Sequence, residues 1–148
     1  MFGWQRGRIM FKKILIAVDG SPITRKVLEI AAEQANAGKS DLHLIYVIET
    51  GWAEGDVARE LAIRELEDEA KEFIGTIKKE ISEMGTTVTT HIKRGHPGDL
   101  IVKTAETIGA DLVILGSVGR SQIKRMIAGS VSTFVVNHSP VTTIIVKP

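Results

Sequence analysis

The stretch Asp111–Val131, DLVILGSVGRSQIKRMIAGSV, decides the fold. Leu112, Val113, Ile114 and Leu115 form an apolar run with no polar alternation, which suits a strand covered on both faces, as in a parallel sheet. The run breaks at Gly116. Ser117, Val118 and Gly119 follow, and Gly129-Ser130-Val131 opens a segment compatible with a helix. Glycines after a buried strand let backbone N–H groups approach and wrap an anion. A helix starting at Ser130 adds unpaired N–H groups and the positive end of its dipole. One reading is a phosphate cradle built from Gly116, Ser117, Gly119, Gly129, Ser130 and Val131. The other is a turn followed by an ordinary helix start.

Working outward, Lys13–Val18 is a second fully apolar strand, ended by Asp19-Gly20-Ser21-Pro22. Ser21 reads as an N-cap and Pro22 as the first helical residue. Asp41–Ile48 is a strand, and a long amphipathic helix runs from about Asp56 to Met84. Its buried face is Leu66, Ala70, Phe73, Ile77, Ile81 and Met84. Gly75 interrupts that helix, with close packing as the expected compensation. Thr86–Lys93 alternates apolar and polar residues, as an edge strand with one wet face does. Pro97 opens a helix to Gly109, Ser130–His138 is the last helix, and Val141–Val146 the last strand. The alternation implies a single-domain α/β fold: an open, parallel five-stranded sheet with helices on both faces. The most apolar strands, the first and fourth, belong in the centre, and the strand order 3-2-1-4-5 satisfies this. Asp19 and Gly116 then meet at the topological switch point, where such sheets bind ligands.

The spacing Gly116-x2-Gly119-x9-Gly129-Ser130 and the start KKILIAVDGSP (Lys12–Pro22) resemble the universal stress protein family, in its ATP-binding branch. The resemblance runs from about Lys12 to Lys147. It implies the same Rossmann-like, adenine nucleotide alpha hydrolase-like fold. It also implies ATP or another adenine nucleotide as ligand, with Mg2+ or Mn2+ held through the phosphates. Asp19 then has the ribose or adenine role, although Asp-Gly is also a common turn. Ala17 and Val47 flank the adenine through backbone groups; both equally suit strand core. Arg120, Lys124 and Arg125 either neutralise phosphate or are solvated. A homodimer through the strand at 141–146 is implied as well. Its edge has no charge before Lys147, whereas His91 and Lys93 blunt the opposite edge.

The chain has 148 residues, a net charge of +1 and no cysteine. Disulfides and cysteine zinc sites are excluded, and a strong basic field for nucleic acid is absent. No run approaches a membrane span. A cytoplasmic protein is expected, with residues 1–10 as an extension of a nucleotide-binding domain at 11–148. The four histidines lack metal-ligand spacing and read as structural. No Gly-Lys-Ser/Thr triplet, G-x-S-x-G elbow or positioned base is present. The reading is therefore a nucleotide-binding regulatory or stress-response module with slow or no hydrolysis. The alternatives are an ATPase or phosphotransferase acting with a partner, and a nucleotide-free dimeric adaptor.

Overall fold

The computed structural model describes residues 11–50, 57–119 and 129–148. Residues 1–10 and the three basic residues Arg120, Lys124 and Arg125 lie outside them. The elements run β1 (Lys13–Ala17), α1 (Thr24–Gly38), β2 (Asp41–Ile48), α2 (Val57–Glu83), β3 (Thr89–Arg94), α3 (Pro97–Ile108), β4 (Leu112–Gly116), α4 (Ser130–His138) and β5 (Thr142–Val146). All four strand pairings are parallel and the order is β3-β2-β1-β4-β5.

Why β1 and β4 take the centre follows from their side chains. Even-numbered residues (Ile14, Ile16, Leu112, Ile114) pack with Leu42 and Leu44 under α1 and α2. Odd-numbered ones (Leu15, Val113, Leu115) pack with Ile45 under α3 and α4. Both faces are dry, and each fully buried aliphatic side chain stabilises the fold by about 1.5–3 kcal/mol. At the amino end of the sheet, the Asp111 carboxylate accepts the backbone N–H groups of Lys12 and Lys13, both at 2.9 Å. Burial alone would raise the Asp111 pKa; these hydrogen bonds outweigh it and hold the group below the usual carboxylate value.

The edge strand β3 is half-buried at best. His91 on it meets His43 on β2, Nε2 to Nδ1 at 2.9 Å, and His43 Nε2 lies 3.1 Å from Asp41 Oδ2. A carboxylate accepting from Nε2–H leaves His43 Nδ1 as the acceptor for His91. Burial, then the charges of His43 and Lys93, keep His91 below the ordinary imidazole value. These two histidines act as an inter-strand tie, the structural role expected of them.

Two boundaries and one packing expectation differ from the sequence reading. Helix α1 begins at Thr24, not at Pro22, with Ile23 at the N-cap position. The reason is local: Asp19 Oδ1 accepts the Ser21 N–H at 2.9 Å and Gly20 has φ +77°, so the DGSP segment spends itself on a turn. Strand β3 starts at Thr89, after Met84–Thr86 wind out of α2 through hydrogen bonds to Glu80, Ile81 and Ser82. The packing expected around Gly75 is absent: the residue is exposed, and a methyl group there would meet nothing within 4 Å. Its only effect on α2 is then the entropic cost of glycine in a helix, about 1 kcal/mol against alanine. Gly75→Ala should raise unfolding free energy by about that amount in denaturant titration. An unchanged or lower midpoint would show a packing role that the fold does not display.

Candidate nucleotide-binding cleft

A cleft of about 490 Å3 opens at the carboxyl ends of β1, β2 and β4, within the size range of small-ligand sites. The switch point between β1 and β4 places it there. Every described residue of the expected site lines it: Ala17, Asp19, Val47, Gly116, Ser117, Gly119, Gly129, Ser130 and Val131. Arg120 was also expected and lies outside the described residues.

The glycines have different reasons. Gly119 faces Asp19: a Cβ there would stand 2.9 Å from Asp19 Oδ2. At Gly129 a Cβ would stand 3.2 Å from the Ser117 carbonyl oxygen. Neither has a left-handed backbone; at Gly129 the near atom is backbone, whereas at Gly119 it is the movable end of the Asp19 side chain. Gly116 lines the cleft and also has a packing reason to be small. A Cβ there would lie 2.6 Å from Ile23 Cγ2, so its small size seats α1 against the end of β4.

The loop is anchored through Ser117, which is 2% exposed. Its N–H donates to the Val146 carbonyl at 2.8 Å, and its own carbonyl accepts from Gly129 N–H. Ser132 Oγ donates within reach of the Ser117 and Gly129 carbonyls, at 3.2 and 3.1 Å. Ser132 was missed in the sequence because a hydroxyl in a helix's first turn looks like a surface residue. Helix α4 begins at Ser130 with Gly129 as N-cap and no side-chain cap. Among the described residues no side chain caps its first-turn amides, and Ser130, Val131 and Ser132 line the cleft.

The charged side chains among the described lining residues are acidic. Asp19, Glu49 and Glu69 line the cleft, and none of its described lining residues is basic. Among the described residues, no group of three or more histidine or carboxylate side chains is arranged to hold a metal ion. The chemistry available is anion binding by backbone amides, hydrogen bonding by the Asp19 carboxylate, and apolar contact from Ala17, Val47, Leu115 and Val131.

A valine at Gly119 or Gly129 should displace the Asp19 carboxylate or the Ser117 backbone. Nucleotide affinity should fall at least about tenfold, one lost charge-assisted contact or more, with far-UV circular dichroism unchanged. If either variant binds Mg-ATP like the parent, these glycines do not form the cradle.

The sequence matches the model of the Universal stress protein family over residues 10–147. Universal stress protein MJ0531 of Methanocaldococcus jannaschii is 30% identical over 146 residues, covering 97% of this chain and 86% of its own length. The solved structure of MJ0577 superposes with a TM-score of 0.87 at 30% identity, covering 95% of this chain and 98% of that one. A universal stress protein from Archaeoglobus fulgidus, solved in complex with dAMP, shares the fold at 24% identity and a TM-score of 0.70, covering 93% of this chain and 98% of its own. With its own fold and the family match extending over nearly the whole chain, this protein belongs to the Universal stress protein family.

Proposed function

We propose that residues 11–148 form a cytoplasmic, ATP-binding stress-response module that holds its nucleotide with slow or no hydrolysis. The observation that carries the proposal is the convergence of Asp19, Gly119 and Gly129 over the uncapped start of α4. In this reading the first-turn amides of α4 and the loop backbone bind the phosphates. Asp19 binds the ribose, and backbone groups at Ala17 and Val47 meet the adenine edge. Because carboxylates line the cleft, a polyphosphate needs a counter-charge. Mg2+ or Mn2+ carried on the phosphates supplies it. The masses of ligands released from purified protein would identify the resident nucleotide.

Calorimetry with Mg-ATP tests the binding. Saturable heat is expected, weakened when the divalent ion is chelated. Turnover should stay far below the roughly 1–100 per second of kinases. No heat and no thermal shift at millimolar Mg-ATP would favour a nucleotide-free adaptor, and turnover at kinase-like rates would favour a phosphotransferase.

The same proposal includes a homodimer through β5, an edge strand with half-buried Thr143, Ile144 and Ile145. The Val146 carbonyl points inward to Ser117 N–H. Alternation along the strand then turns the backbone groups of Thr143 and Ile145 toward the open edge. Thr143→Pro removes one of those donors while sparing the β4 pairing. Sedimentation should show the parent as a dimer at micromolar concentration and this variant as a monomer. A monomeric parent would refute the dimer, and a dimeric variant would place the interface elsewhere.

A further inference from the structure

Away from the cleft, a row of titratable groups lines one face of the sheet between β2 and β3. Asp41 and His43 lie on β2, and His91 and Lys93 on β3. Side chains alternate along a strand, so all of them share the face of Ile45 and Val47, over which α3 packs. None of them lines the cleft.

The two imidazoles meet through a hydrogen bond. Nδ1 of His43 and Nε2 of His91 face each other at 2.9 Å, while the ring centroids stay 5.2 Å apart with planes at 12°. The rings therefore meet edge to edge, and the gap holds one hydrogen. In the neutral pair His91 supplies it, because Asp41 Oδ2, 3.1 Å from His43 Nε2, fixes the N–H of His43 at that nitrogen. One further proton is accommodated. It enters at His91 Nδ1, the bridging hydrogen passes to His43 Nδ1, and the resulting imidazolium lies between Asp41 and His91. A second further proton has no such place. Both facing nitrogens would carry hydrogen, so the bond across the strands breaks and two cations remain side by side.

The surroundings resist that second proton. Burial, then His43, then Lys93 disfavour the charged form of His91. From β1, Lys13 Nζ stands 3.9 Å from the Asp41 carboxylate and competes for it. The charged residues of α3, Asp99, Lys103 and Glu106, are all exposed. The folded chain thus binds fewer protons at His91 than the unfolded chain just below the ordinary imidazole value of 6.5. The stability contributed here is full above that value and falls as pH drops toward the lowered one. Strand β3 is an edge, paired with β2 alone. Its carboxyl end is held separately, by Arg94 on Glu67 of α2 at 2.6 Å, so release starts at the end that carries Thr89 and His91.

We propose that Asp41, His43 and His91 form an acid-operated latch on β3: the strand stays paired while the two imidazoles share one added proton, and its amino-terminal half opens when each carries its own. The latch needs no ligand, and its failure leaves the nucleotide reading untouched.

Hydrogen exchange of the full-length protein tests it. A peptide over Thr89–Arg94 is compared with one over β1, each corrected for its intrinsic rate, at roughly pH 7 and roughly pH 5. Protection of β3 relative to β1 should fall at least about tenfold at the lower pH, the loss of one hydrogen bond between strands. His91→Gln keeps a donor for His43 Nδ1 but takes up no proton, so its relative protection should stay within about threefold over the same range. NMR of the ring nitrogens in the parent should show two well-separated protonation steps, with hydrogen on His91 Nε2 in the neutral pair. Relative protection of β3 that does not change with pH overturns the latch, as does an equal loss in His91→Gln. Where that variant does not fold, two imidazoles titrating independently in the parent overturn it as well.

Discussion

The backbone of Ser117 is the junction on which the carboxyl end of this fold depends. Its N–H joins the end of β4 to β5 through Val146, and its carbonyl receives Gly129 at the start of α4. Ser132 Oγ reaches the same carbonyl from within the helix. The residue is buried, so each of these bonds works in a low-dielectric setting where a lost partner costs about 1–3 kcal/mol. The chain leaves the sheet at Gly116 and returns at Gly129, and Ser117 holds these two points together. This is why a glycine is needed at 129: the returning chain passes too close to the Ser117 carbonyl for a side chain to fit without a shift.

The sheet order was legible in the sequence because burial on both faces leaves an unmistakable pattern, and only β1 and β4 carry it throughout. One edge was legible for the converse reason, the threonines and charges of β3. What escaped were features decided by neighbours distant in sequence. Gly116 reads as part of a phosphate loop, and only the fold shows that Ile23 of α1 also limits its size. Ser132 and Thr24 resemble helix-start hydroxyls of no consequence; only the assembled cleft shows one pinning the loop and the other buried without a partner. The DGSP segment misled about α1 because Ser-Pro is a good helix start in isolation. Here Asp19 captures the Ser21 N–H first.

The two ends of the sheet are treated oppositely. At the amino end, Asp111 receives two backbone N–H groups, Lys13 Nζ reaches the Ile108 carbonyl at 2.9 Å, and Ser40 Oγ donates to the Phe11 carbonyl. Helix α3 ends there on Gly109, whose φ of +69° lets its N–H return to the Ala105 and Glu106 carbonyls. The polar groups named there are satisfied by the chain itself. At the carboxyl end, α4 starts without a side-chain cap, and the buried hydroxyls of Ser21 and Thr24 have no partner.

That asymmetry bears on stability. Buried hydroxyls without a partner at one end lower the stability of the fold, and any ligand bound in the cleft raises it by mass action. In mass-action terms, a ligand at one hundred times its dissociation constant adds about 2.7 kcal/mol to the folded state. This is comparable to the cost of one or two buried groups left unpaired. The loop from Gly116 to Gly119 and the first turn of α4 both line the cleft. Both elements also bear on β5, through the Ser117–Val146 hydrogen bond. The cleft and the edge strand β5 thus share one backbone junction at Ser117.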